Sequence, residues 1–133
     1  MILHYASQAD YDGMSGKDNA VGRAWTPEEV AGLGEYMGKW TNELVESGEF
    51  VDAAALAGPV HTRRVGPGDL VTDGPFAETA EVVVGYTIVD CAGLDRATEI
   101  AAKLGDGPVP DYVRTRAFAD VRPLMSGLDE LSA

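Results

Sequence analysis

Residues Val82–Val89 read VVVGYTIV and are apolar at nearly every position. A strand with one wet face alternates apolar and polar residues; an unbroken, β-branched run marks a strand covered on both faces. Downstream, Gly93 introduces a helix over 94–104, with Leu94, Ala97, Ile100, Ala101 and Leu104 on one face. A Gly- and Pro-containing loop over 105–110 follows. Residues 112–124 then alternate, with Val113, Thr115, Ala117, Ala119 and Val121 on one side and Arg114, Arg116, Phe118, Asp120 and Arg122 on the other. That pattern predicts a last strand.

Upstream, Asp73-Gly74-Pro75 breaks the chain, and Gly66-Pro67-Gly68-Asp69 joins 60–65 to 70–72 as a small hairpin. Residues 50–57 read as a strand ended by Gly58-Pro59. Before it, Thr26-Pro27-Glu28-Glu29 starts a helix: Thr26 caps, Pro27 suits the first helical position, and Glu29 closes a capping box. Val30, Leu33, Met37, Trp40 and Leu44 form its apolar stripe, and Gly48 ends it. Residues 7–24, rich in Gly, Asp, Ser and Asn, predict a long loop, and MILHYA at 1–6 predicts a first strand.

The order strand, helix, strand, hairpin, strand, helix, strand predicts an α+β fold. A four-stranded antiparallel sheet would carry both helices on one face. The opposite face would be bare and apolar, which predicts a homodimer packed sheet to sheet. The 133 residues suit one domain over 1–124, with a long loop at 7–25 and a short tail at 125–133.

Twenty-two acidic against ten basic side chains give a net charge of −12. Nucleic-acid binding needs a basic face to displace counterions, and anionic lipid needs one too, so both partners are disfavoured. A single cysteine, Cys91, fits a reducing compartment, and the absence of a leader or a long apolar run predicts a cytoplasmic protein. The two histidines and Cys91 lack metal-ligand spacing, so no metal is expected. Nucleotide-binding glycine motifs are also missing, and no cofactor is expected.

The run Val71-Thr72-Asp73-Gly74-Pro75-Phe76-Ala77-Glu78-Thr79 resembles the DGPF family of YCII-related proteins. The likeness continues through Glu81, Gly85-Tyr86, Ile88-Val89-Asp90, Leu94-Asp95-Arg96-Ala97 and Asp120-Val121-Arg122-Pro123-Leu124, where the family usually has Glu in place of Asp120. The resemblance implies a ferredoxin-like βαββαβ fold in the dimeric α/β-barrel assembly. That wider superfamily includes small-molecule lyases, isomerases and monooxygenases. Some relatives pair a first-helix histidine with an aspartate; here no histidine lies between Pro27 and Gly48, and Tyr36 stands near that place. The family's association with extracytoplasmic-function sigma factors implies an alternative, a non-catalytic ligand-binding or regulatory partner.

Asp73 is the candidate general base, at the mouth of a pocket between sheet and helices. In the competing reading Asp73 and Gly74 shape a turn and Phe76 plugs the core. His4 and His61 are the only imidazoles, the side chains that titrate near neutrality unaided. His4 would assist Asp73 in lyase or isomerase chemistry. Arg122 would hold a small anionic or aromatic ligand in a fork geometry, with Tyr86, Phe76 and His61 completing the ligand-binding set. The cluster Arg63, Arg64, Arg114, Arg116 and Arg122 otherwise predicts ion pairs with neighbouring carboxylates.

Overall fold

A computed structural model describes residues 1–73 and 77–132. Among them the chain runs through β1 (Ile2–Ala6), α1 (Gln8–Met14), α2 (Pro27–Ser47), β2 (Phe50–Ala55), β3 (Arg63–Val65) and β4 (Val71–Asp73). It continues through β5 (Val82–Val89), α3 (Leu94–Ala102), α4 (Asp111–Arg114) and β6 (Ala119–Val121). Strands order as β2-β5-β1-β6 in one antiparallel sheet, and β3 and β4 form a separate two-stranded ribbon. The apolar run Val82–Val89 is thus an inner strand, paired on both sides.

Strand alternation sorts the sheet into two faces. Ile2 stands opposite Thr87 and Val121, and His4 opposite Gly85 and Ala119; these residues look toward the helices. Trp40 and Leu44 of α2 and Ile100 of α3 bury against Ile2, with Met37, Phe50, Val89, Leu104, Ala119 and Val121 packed around them. The Trp40 indole N–H donates to the Ile100 carbonyl at 3.0 Å, so one side chain ties the two helices together over the sheet. The other face carries Leu3, Tyr86 and Ile88, all half-buried, with the exposed Asp52 and Asp120.

The start of α2 follows its sequence closely. Thr26 Oγ1 accepts from the Glu29 amide at 3.1 Å, and Glu29 Oε1 accepts from the Thr26 amide at 2.9 Å. Gly48 closes the helix at φ 79°, a left-handed conformation that glycine adopts without Cβ strain. The predicted second helix ends at Ala102 and tightens into a 3₁₀ turn over Lys103–Asp106.

Two expectations are corrected. Residues 7–24 are not wholly loop: Ser7 and Asp10 form a capping box that starts α1. Asp10 Oδ2 accepts from both the amide and the hydroxyl of Ser7, at 2.8 and 2.9 Å. Residues 112–124 are not one strand either. Pro110 leads into the helical turn α4, and pairing with β1 resumes only at Ala119–Val121. Arg114 therefore stands on a turn, where it donates to the carbonyls of Gly105 and Gly107 at 2.7 and 3.0 Å. Arg116 folds back to Asp10 at 2.5 Å, one of the ion pairs expected of the arginine cluster. The strand predicted over 50–57 stops at Ala55. The tail ends in a 3₁₀ turn over Leu128–Ser132.

Candidate functional site

A cleft of about 440 Å³ opens between β1, β6 and the helices α2 and α3. His4 and Tyr5 reach it from adjacent positions of β1, and Met37, Ala101 and Leu104 border it from the helical layer. Ala117, Phe118 and Ala119 line its third side. Among the described residues that line it, none is an Asp, Glu, Lys or Arg.

His4 is the group of chemical interest. Its Nε2 shares a 3.1 Å hydrogen bond with Thr87 Oγ1, and Thr87 is itself buried on the facing strand. The imidazole meets the Trp40 ring edge-on, 6.3 Å between centroids and 82° between planes. Burial disfavours the imidazolium and lowers the His4 pKa below its usual 6.5. The ring is accordingly neutral at pH 7, with one nitrogen able to accept a proton. Because the unfolded chain binds that proton more readily, stability is complete above pH 6.5 and declines as pH falls from there toward the lower folded value. Urea denaturation of His4→Gln should lack that part of the decline, whereas His61→Gln should retain it.

Tyr5 and Phe118 stack at 4.8 Å and 19°. Burial first, then the Asp120 carboxylate, push the Tyr5 phenol pKa up, while the nearby Arg122 cation pulls it down. The chain brings these rings together because Phe118 immediately precedes β6, which pairs with β1.

The other sequence-derived candidates lie elsewhere. Asp73 ends the exposed ribbon opposite Arg63, and His61 is exposed in a 3₁₀ turn before that ribbon. Tyr86 occupies the sheet face away from the helices, where its hydroxyl donates to Asp52 at 3.2 Å and its pKa is raised chiefly by that bond. Arg122 borders a second cleft of about 290 Å³ with Cys91 and Leu94. Phe76, with Gly74 and Pro75, lies outside the described residues. Of the five candidates among the described residues, His4 alone lines the larger of these two clefts. Tyr5, Phe118 and Thr87 were not singled out from sequence; only the placement of Tyr5 beside His4 offered a signal.

Among the described residues no helix is long and apolar enough to cross a membrane. The YCII-related domain model matches residues 1–107, which span β1 through the turn after α3. A Rhizobium meliloti (strain 1021) protein, "Uncharacterized protein R00369", is 35% identical over 110 residues, covering 80% of this chain and 89% of that protein. With the family model spanning most of its length, the chain belongs to the YCII-related family.

Proposed function

We propose that the protein takes up a small molecule in the cleft between sheet and helices, with His4 exchanging a proton with it in lyase- or isomerase-type chemistry. The observation that carries this reading is a neutral, half-buried imidazole bordering that cleft and oriented by Thr87. Neutral imidazole near its working pH is the usual general base. A metabolite screen by thermal shift tests it: compounds that raise the melting temperature of the native chain should fail to do so for His4→Gln. Equal stabilisation of both proteins would remove His4 from the site. A screen with no stabilising compound would favour the alternative, a non-catalytic partner of a sigma factor, to be sought by co-purification.

The strand order β2-β5-β1-β6, with long connections through α2 and α3, supports a ferredoxin-like arrangement. Leu3, Tyr86 and Ile88 on the sheet face away from the helices support a homodimer of the dimeric α/β-barrel kind. Val65, Leu70 and Val71 of the ribbon are 73%, 60% and 57% exposed, and a two-strand ribbon gains stability when covered. Sedimentation at micromolar concentration should show a species of twice the 14.0 kDa chain mass. Tyr86→Lys should shift it toward the monomer; a native protein that sediments at the single-chain mass would end the dimer reading.

A further inference from the structure

We infer that the cleft selects a small, uncharged compound carrying one hydrogen-bonding group, and that it discriminates against the corresponding anion. The inference rests on the reading of the His4 cleft as a binding site, and it replaces the anionic ligand that Arg122 suggested from sequence.

The first argument is electrostatic. An anion in this cleft would leave water for a wall with no Lys or Arg side chain, in a protein of net charge −12. Moving a charged group out of water without a partner is strongly unfavourable, whereas a neutral compound loses little. A cation fares no better in the cleft itself, since no carboxylate side chain borders it.

Shape gives the second argument. The small side chains Ala101, Ala102, Ala117 and Ala119 leave the space open. A volume of about 440 Å³ falls at the small end of ligand pockets.

Hydrogen-bonding capacity limits the guest to one well-matched polar group. The Thr98 hydroxyl is spent on the Leu94 carbonyl, to which it donates at 2.8 Å. His4 commits Nε2 to Thr87, and its Nδ1 has no hydrogen-bond partner among the described residues. One phenol or enol hydroxyl, or one carbonyl, matches what the imidazole has left.

The test uses a matched pair of probes, 2-naphthol and 2-naphthoate, at pH 7.5, where the first is neutral and the second an anion. The readout is the His4 ring-proton NMR resonance, identified by its loss in His4→Gln. 2-Naphthol should shift that resonance saturably and bind at least tenfold more tightly than 2-naphthoate. Equal or tighter binding of 2-naphthoate at His4 would overturn the ligand class and leave the site standing. If neither probe moves the His4 resonance, the cleft itself fails as a binding site.

Discussion

Replacing Trp40 with alanine is expected to cost about 3–5 kcal/mol, a large share of the roughly 5–15 kcal/mol that holds a typical domain folded. Trp40 is 4% exposed and sits where α2, α3 and β1 converge. Truncation removes the largest side chain of the buried cluster. It removes the indole hydrogen bond to the Ile100 carbonyl and opens the layer behind His4. Trp40→Phe should be milder, because most of the apolar area survives and the main loss is the hydrogen bond, about 1–3 kcal/mol. Urea denaturation followed by circular dichroism separates the two, and Trp25 remains as a fluorescent reporter in both. An alanine variant within about 1 kcal/mol of the native protein would show that the cluster does not depend on Trp40.

Asp10→Ala is expected to cost about 3 kcal/mol, less than the full penalty for breaking a deeply buried ion pair because part of Arg116 is in contact with water. One carboxylate serves two purposes. Asp10 Oδ1 pairs with Arg116 at 2.5 Å, and Oδ2 closes the capping box with Ser7. Removing it leaves the Ser7 amide without its acceptor. It also leaves a guanidinium whose Nε is already buried without a partner among the described residues. The side chains of Arg116 and Asp10 are 27% and 11% exposed, which sets the discount. Arg116→Ala alone should cost less, since the capping box survives. A double-mutant cycle should return a coupling of at least about 1 kcal/mol; a coupling near zero would mean the pair contributes nothing net.

The boundaries of α2 could be read from sequence because both of its ends are fixed by local chemistry, Thr26 with Glu29 at one and Gly48 at the other. The same logic was available for α1, where Ser7 and Asp10 stand three residues apart. The helix went unread because its seven residues QADYDGM carry no apolar period and include Gly13. The last strand failed in the opposite way. Val113, Thr115 and Ala117 alternate with arginines, but Arg114 bonds to the nearby Gly105 and Gly107 carbonyls and Arg116 reaches across to the sequence-distant Asp10, and these bonds hold the backbone in turns before β6. His4 could be singled out because it is one of two imidazoles and lies in an apolar strand. The Tyr5–Phe118 stack beside it could not, since it depends on pairing across more than a hundred residues of sequence.

That same pairing bears on how the molecule is made. β1 is synthesised before the other described strands yet lies between β5 and β6, so neither of its neighbours exists until Val82 and the residues beyond it have been made. The helical hairpin of early contacts that speeds many small domains has no counterpart for this sheet, and loop closure must precede its central ladders. Nascent chains truncated before Val82 should therefore expose Ile2 and Leu3 to trigger factor-like chaperones, and refolding from urea should be slow for a protein of this length.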